Sequence, residues 1–341
     1  MTVPAAPVRP GPIDVHAHWL PEDLFGLPPG SPLPPLNGRD GQLHLGDLPL
    51  SIETSAMSDP ARVLADTDAA GLGARVLSAP PFAFPVGAAA GVDEYVGAFN
   101  EALARVCTDS GGRFLGLGLV ALHDPESARK QCAELAGTSV VRGIAVPPLL
   151  GTASFDVDPL RDVLRAAADH DLAVLVHPMQ LPRPEWSSYY LANLIGNPVE
   201  TATAAASLIL GGVLEELPGL RICLLHGGGC APALLGRWQH GFEQRADVRS
   251  AGTRSPREGF AALWFDTLTH DVATLELLRT HADPARLLCG SDHPFDMGTD
   301  HPLDLPHAVG IDDTALEASA RRFLSLDAPD ASDALDQGGH P

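Results

Sequence analysis

Ile13-Asp14-Val15-His16-Ala17-His18 is the stretch on which the fold prediction rests. It is a short apolar strand pattern that ends in two histidines separated by one residue. Side chains two apart on a β-strand point to the same side, so the imidazoles of His16 and His18 are expected to converge. Neutral imidazole is the commonest protein metal ligand, and two converging rings make half of a metal site. Taken alone, the stretch is equally compatible with a histidine-rich strand end at the surface.

Short apolar runs of this kind alternate with helical patterns along the chain. Most of the runs are continuous, as expected for strands buried on both faces of a parallel sheet. They cover residues 13–15, 74–78, 114–120, 143–146, 172–176, 221–225, 262–265 and 286–289. The helical patterns cover residues 59–70, 92–110, 125–136, 159–170, 200–217, 231–245 and 272–281. Eight strands with interposed helices predict an α/β fold, a (β/α)8 TIM barrel. A doubly wound open sheet is the alternative, but it rarely needs eight units.

The regular alternation is interrupted once, after the first strand. Residues 20–57 are rich in proline and glycine, and we expect a Pro/Gly-rich insertion, irregular with a small hairpin, on the active face of the barrel. Residues 1–327 are expected to form a single domain. The polar tail, residues 328–341, is expected to be disordered.

The composition restricts the partners. A net charge of −21 argues against nucleic acid and against an anionic membrane, because both require a basic patch. The N-terminal residues show no signal-peptide core and no apolar run is long enough to cross a bilayer, so we expect a cytoplasmic protein. The five cysteines are scattered, as expected for reduced thiols. A reactive thiol at Cys230 is the minor alternative.

Three further polar residues lie where predicted strands end. His177 closes the fifth strand, His226 closes the sixth and precedes three glycines, and Asp292 follows the eighth. The C-terminal ends of all barrel strands meet at one mouth, where catalytic residues collect. Singly, these residues also fit a core histidine, a tight turn and a helix cap. Their joint placement with His16 and His18 favours a divalent metal site, suited to zinc and to other divalent ions.

Other polar residues near strand ends receive smaller roles. Asp266 ends the seventh strand and is expected to support the site or the fold, not to bind the metal. His123 ends the third strand and is a minor candidate for the mouth. His293 adjoins Asp292 and is expected to point elsewhere if the backbone is extended.

The motifs around these residues resemble those of the amidohydrolase superfamily. They are Ile13-Asp-Val-His-Ala-His with Leu20-Pro21, Val176-His-Pro, Leu225-His-Gly-Gly-Gly and Gly290-Ser-Asp-His-Pro-Phe. Within the superfamily the chain resembles the branch of 2-amino-3-carboxymuconate-6-semialdehyde decarboxylase and related metal-dependent decarboxylases and hydrolases. The resemblance covers residues 12–325 and implies a distorted barrel with one divalent ion, usually zinc. It gives His16, His18, His177 and Asp292 as metal ligands and His226 as the catalytic base.

The resemblance also implies substrate contacts. It gives Arg237 a role in binding the substrate carboxylate across a dimer interface, so a homodimer is expected, and it makes Phe295 an aromatic wall of the pocket. Trp186, Tyr189 and Tyr190 supply aromatic groups after His177 that would stack on a planar substrate or pack among the outer helices.

Two departures from the branch concern the substrate. The branch places a substrate-binding arginine in the insertion, where residues 50–53 here read Leu-Ser-Ile-Glu. The tyrosine that usually follows the metal-binding aspartate is replaced by His293. Both departures concern the identity of the substrate and leave the metal chemistry intact.

Two reactions fit the same site. The first is metal-dependent, non-oxidative decarboxylation of a small unsaturated or aromatic carboxylic acid by a metal-bound water or hydroxide, with His226 and Asp292 moving the proton and no organic cofactor. Zinc is the expected metal and manganese the alternative. The second reaction is hydrolysis or hydration of an amide, ester or lactone by the same hydroxide. A non-catalytic, metal-stabilised binding protein is the third interpretation, and it requires an ion with no open coordination position.

Overall fold

The structure is a computed structural model that describes residues 6–180 and 183–326. Its strands are β1 (Ile13–His18), β2 (Leu36–Arg39), β3 (Gln42–Leu45), β4 (Leu48–Glu53), β5 (Ala74–Ser78), β6 (Phe114–Gly118), β7 (Val141–Val146), β8 (Ala173–Val176), β9 (Ile222–Leu224), β10 (Trp264–Asp266) and β11 (Leu287–Leu288). Its α-helices are α1 (Thr54–Ser58), α2 (Pro60–Ala69), α3 (Val92–Asp109), α4 (Pro125–Ala136), α5 (Leu160–Asp169), α6 (Asn197–Leu210), α7 (Val213–Glu216), α8 (Ala231–Gln244), α9 (Pro256–Ala262), α10 (Val272–Arg279), α11 (Asp304–Ala308) and α12 (Asp313–Phe323). The tail predicted to be disordered, residues 328–341, lies outside the described residues.

Eight parallel strands form the barrel, in the order β1-β5-β6-β7-β8-β9-β10-β11. The chain directly after β11 pairs with β1: the Val15 amide donates to the Cys289 carbonyl at 2.9 Å, and the Asp292 amide donates to the His16 carbonyl at 2.8 Å. At least one helix lies between each pair of consecutive barrel strands. The predicted (β/α)8 barrel is therefore confirmed, and the open-sheet alternative is wrong.

The burial of the strands and the helix signals explain why these segments fold as they do. All six residues of β1 and all four of β8 are buried, as strands covered on both faces must be. Helix α4 begins at a proline and is capped by Asp124, whose carboxylate accepts from the amides of Glu126 and Ser127. Such caps satisfy helix-end amides that lack a partner within the helix. No helix in the described part of the chain has both the length and the hydropathy needed to cross a bilayer.

The insertion after β1 is more regular than the sequence predicts. Instead of an irregular segment with a small hairpin, it contains a three-stranded antiparallel sheet, β2-β3-β4, followed by α1. Leu43 of β3 and Ile52 of β4 are buried in the main hydrophobic core. The insertion is therefore packed onto the barrel.

A buried polar cluster holds the first and last barrel strands together. The Asp14 carboxylate accepts from the amides of His16 and Ser291 at 3.0 and 3.1 Å, and from Arg75 Nε at 3.0 Å. The Ser291 hydroxyl donates to the same carboxylate at 2.5 Å. His16 is itself a predicted metal ligand, and Ser291 directly precedes another, Asp292. The cluster therefore fixes the backbone beneath the site.

Candidate metal centre

The four predicted metal ligands meet at the mouth of the barrel. His16 and His18 lie on β1, His177 directly follows β8, and Asp292 lies in the loop after β11. All four side chains are buried, and one ligand atom from each lies within 4.8 Å of those of the others. Asp292 Oδ1 is 3.1 Å from Nε2 of both His16 and His18, and 3.8 Å from His177 Nε2. A metal-binding site is therefore present.

The hydrogen bonds of the three histidines leave the correct nitrogen facing the centre. The Nδ1 atoms of His16, His18 and His177 lie 2.7, 3.2 and 2.6 Å from Asp266 Oδ2 and from the carbonyls of Ala79 and Pro178, respectively. Because these partners are acceptors, each Nδ1 carries a proton, and Nε2 is the atom that each ring can offer to a metal. Within the described residues, His177 Nε2 is buried without a hydrogen-bond partner. Three imidazoles and one carboxylate arranged in this way fit a divalent cation.

The pKa shifts of the four residues show how charge is distributed at the centre. Burial lowers the pKa of His18, and it lowers that of His177 to about 3, so both rings are neutral. At His16 burial acts in the same direction, but the carboxylates of Asp292 and Asp266 outweigh it and raise the pKa to about 10. Burial alone would raise the pKa of Asp292, yet the His16 charge and the histidine hydrogen bonds hold it well below its usual value. The buried Asp292 carboxylate is thus stabilised by positive charge at His16, and a divalent ion held by the four residues would supply positive charge in its place.

His226 faces the same carboxylate without joining the ligand group. Its Nε2 lies 3.6 Å from Asp292 Oδ2, and its ring centroid lies 5.1 Å from that of His16 and 5.5 Å from that of His177. The residue has a φ of 55°, and the glycines that follow it also have positive φ. At Gly229 a Cβ atom would lie 2.4 Å from the Pro198 carbonyl oxygen, so only glycine fits there. The glycine turn therefore holds His226 beside the centre, and its role as base stays a prediction.

Phe295 and two residues that the sequence analysis missed line one side of the mouth. The Phe295 ring lies 5.2 Å from the His18 ring and 6.0 Å from the Phe82 ring, centroid to centroid. Phe84 lies 6.5 Å from His177. The sequence does carry a signal for Phe82 and Phe84. They form an aromatic pair in Pro80-Pro81-Phe82-Ala83-Phe84, directly after β5. These rings form an apolar wall next to the metal ligands.

The structure does not decide the roles of the other three predicted substrate residues. Trp186 lies after β8, with the Arg183 guanidinium 5.0 Å from its ring. Tyr190 is 51% exposed, and its pKa is raised by burial and by the carboxylates of Asp296 and Asp292. Arg237 lies exposed on α8. Within the described chain, neither Trp186 nor Arg237 makes a hydrogen bond, ion pair or ring contact with the metal ligands, so their substrate roles stay predictions.

The residues to which the sequence gives smaller roles lie outside the ligand group. His123 Nε2 donates to the Val86 carbonyl oxygen at 2.9 Å, and His123 does not belong to the ligand group. His293 points away from the centre, with its Nε2 3.0 Å from Asp66 Oδ2. Burial raises the pKa of Cys230, which disfavours a reactive thiolate. His270 lies in the loop after β10, where burial of its ring and the neighbouring His226 lower its pKa.

Comparisons with known proteins agree with this geometry. The sequence matches the amidohydrolase family over residues 13–327. A 2-amino-3-carboxymuconate-6-semialdehyde decarboxylase from Dictyostelium discoideum is 30% identical over 235 residues, which cover 67% of this chain and 66% of that relative. The chain thus spans just under two thirds of that relative's length.

Two solved structures share the fold. Metarhizium anisopliae IDCase superposes with a TM-score of 0.80 at 22% identity, over 94% of this chain and 98% of that one. The 5-carboxyvanillate decarboxylase from Novosphingobium aromaticivorans, in complex with manganese and 4-hydroxy-3-methoxy-5-nitrobenzoic acid, superposes with a TM-score of 0.73 at 18% identity, over 94% of this chain and 96% of that one. The chain belongs to the amidohydrolase family.

Proposed function

We propose that this chain is a metal-dependent carboxy-lyase that removes CO2, without oxidation, from a small unsaturated or aromatic carboxylic acid. The observation that carries the proposal is the arrangement around Asp292. Its Oδ1 faces the metal-ligand histidines, and its Oδ2 lies 3.6 Å from His226 Nε2. One carboxylate thus lies beside both the metal ligands and the histidine to which we assign proton transfer.

The chain's own residues have distinct tasks in this reaction. A divalent ion, when bound by the four ligands, supplies Lewis acidity that acidifies water and polarises a substrate oxygen. The carbon that loses CO2 must gain a proton, and His226 supplies or relays it, with Asp292 as its neighbour. Phe295 and Phe82 form the apolar wall against which a flat, unsaturated substrate packs, and they exclude water from that side.

We propose zinc as the resident metal and manganese as the alternative. Three imidazoles and a carboxylate suit both ions, and the Novosphingobium aromaticivorans relative was solved with manganese. Elemental analysis after expression without added metal, followed by stripping and reloading with each ion, distinguishes them. The resident ion is the one that co-purifies and restores the highest kcat/KM.

The reaction is tested by CO2 release. The purified protein is given a panel of amino- and hydroxy-substituted unsaturated and aromatic acids, with no organic cofactor added. A product lighter by one CO2, formed by the metal-loaded protein and not by the stripped protein, is the expected result. A panel that yields no CO2 would contradict the proposal.

Hydrolysis or hydration is the second candidate, and one observation favours it. The insertion offers no arginine for a substrate carboxylate at residues 50–53, where Glu53 instead forms an ion pair with Arg62. The same metal site would then act on an amide, ester or lactone carbonyl. Mass spectrometry separates the reactions, because a hydrolysed or hydrated product gains water where a decarboxylated one loses CO2.

We further propose that the enzyme is a cytoplasmic homodimer in which residues 1–327 form one unit. In this arrangement Arg237 of one copy binds the substrate carboxylate in the other, and Trp186 and Tyr190 contact the substrate ring. Exposure of Arg237 on α8 is compatible with this role. Arg237→Ala is expected to raise KM and weaken the dimer in sedimentation experiments, whereas Arg245→Ala, at the end of the same helix, is expected to change neither. Unchanged KM for Arg237→Ala would remove it from the site.

A further inference from the structure

Asp266 connects the metal centre to the proton-transferring histidine. It is the last residue of β10 and has no solvent-exposed surface. Its Oδ2 lies 2.7 Å from His16 Nδ1, and its Oδ1 accepts from the Gly227 amide at 2.7 Å. A single buried carboxylate therefore contacts a metal ligand with one oxygen and the turn directly after His226 with the other.

Each contact constrains a group that the reaction needs. At His16 an acceptor on Nδ1 selects the tautomer and the ring orientation that present Nε2 to a metal, and such outer partners also raise the basicity of the ligand. At Gly227 the amide belongs to a turn with positive φ at both His226 and Gly227, at 55° and 61°. A non-glycine residue rarely adopts positive φ, so the turn needs an external partner to hold His226 there.

The surroundings of Asp266 leave it little freedom. A Cβ added at Gly290 would lie 2.8 Å from Asp266 Cβ, so the neighbouring backbone approaches it closely. A Cβ at Gly227 would lie 2.5 Å from Thr269 Cγ2. The carboxylate is thus held in place by packing on one side and by its two hydrogen bonds on the other.

We propose that Asp266 is a positioning residue that couples metal binding to the placement of the proton-transferring His226. It touches neither the substrate nor the metal, and it acts through His16 and through the turn at Gly227. The inference rests on the proposed function only for the role of His226. Its metal-binding half depends on the metal site alone.

Asp266→Asn is the direct test, because asparagine has nearly the same shape but only one acceptor oxygen. Its single oxygen cannot accept from both His16 and Gly227. Its NH2 group therefore faces one of these two donors, and that donor is left without an acceptor. We expect the metal affinity, measured by competition with a chelator, to fall about 10- to 100-fold. We also expect kcat at full metal occupancy to fall by about the same range, because the turn carrying His226 loses its charged partner.

Asp271→Asn provides the matched control. Asp271 lies five residues further along, is exposed, and accepts from the Thr274 amide at the start of α10. Its loss should lower the melting temperature slightly and leave metal affinity and kcat at wild-type values. If Asp266→Asn does not fold, Asp266→Ser takes its place, since serine is smaller and keeps one acceptor oxygen.

The outcomes separate this inference from the proposed function. A lower melting temperature for Asp266→Asn, with metal affinity and kcat both within two-fold of wild type, would overturn the inference and assign Asp266 a structural role. If the wild-type protein releases no CO2 from any acid, the proposed function fails, but the expected loss of metal affinity still tests the coupling at His16. If the variant binds metal normally but loses kcat, the His16 half fails and the coupling proposal is overturned.

Discussion

At the scale of single residues, the centre depends on which nitrogen of each histidine faces it. Each of the three ligand histidines, His16, His18 and His177, directs Nδ1 to an acceptor. Their Nε2 atoms face one carboxylate oxygen of Asp292. His226 differs because its Nδ1 is buried without a hydrogen-bond partner among the described residues. No acceptor in the described part of the chain therefore fixes the tautomer of His226, in contrast to the three ligand histidines.

His226→Asn tests this difference. Asparagine cannot act as a general base at neutral pH, so turnover is expected to fall by about 10²- to 10⁴-fold. The metal content should remain that of the wild type, because His226 lies outside the ligand group. Steady-state kinetics and elemental analysis on the same preparation measure both quantities. A variant that purifies without metal would make His226 a ligand and contradict its assignment as base.

The sequence is informative at this scale where one local rule suffices. Strand parity placed His16 and His18 on one side, and the position after a strand placed His177 and Asp292 at the mouth. The bridge that Asp266 makes between His16 and Gly227 joins residues 250 and 39 positions from it, and no local pattern predicts such a contact.

At the scale of elements, the turn after β9 decides where His226 sits. Gly229 has a φ of 60° and a ψ of −129°, a region that is essentially restricted to glycine. Its neighbour across the turn is backbone, the Pro198 carbonyl at the start of α6, which cannot move aside as a flexible side chain does. The turn therefore depends on glycine for both its conformation and its space.

Gly229→Ala is expected to destabilise the protein by about 1–3 kcal/mol and to lower kcat, because the strained turn shifts His226. Gly236→Ala is the matched control: Gly236 lies inside α8 with no heavy atom within 4 Å of an added Cβ. That change should be neutral or stabilise the protein by up to about 1 kcal/mol. Urea denaturation measures the free energy of unfolding of both variants. Equal stabilities would show that the turn tolerates a side chain.

The insertion shows where prediction at the element scale falls short. Asp40 and Gly41 both have positive φ and form the two-residue turn that pairs β2 with β3. This Asp-Gly pair is a strong hairpin signal in the sequence. Strand β2, Leu36–Arg39, carries no strand-like alternation and exists because it pairs with β3. The hairpin turn was therefore visible in the sequence, whereas β2 as a strand was visible only in the tertiary structure.

At the scale of the whole molecule, closure of the barrel and formation of the site depend on the same contacts. The buried ion pair between Asp14 and Arg75 links β1 to β5, and Asp14 also binds the amide and hydroxyl of Ser291 after β11. The regular spacing of eight apolar runs was sufficient to predict the barrel. Which strands would share a buried charge was not predictable, because burial of Arg75 depends on packing from distant segments.

Asp14→Ala is expected to destabilise the fold by about 3–5 kcal/mol, because it leaves the buried Arg75 guanidinium without its charged partner. Metal affinity should fall as well, since the amides of His16 and Ser291 lose their acceptor. Lys130→Ala, which breaks an exposed ion pair with Glu134, is the control and should leave stability nearly unchanged. Similar unfolding free energies for the two variants would contradict a closing role for Asp14.

The central claim is that His16, His18, His177 and Asp292 hold one divalent ion on which catalysis depends. The most direct measurement combines elemental analysis of the purified protein with CO2 release before and after a chelator. We expect one divalent transition-metal ion per chain, activity that disappears on chelation, and its return when the metal is restored. Protein that holds no stoichiometric metal, with activity indifferent to the chelator, would contradict the account.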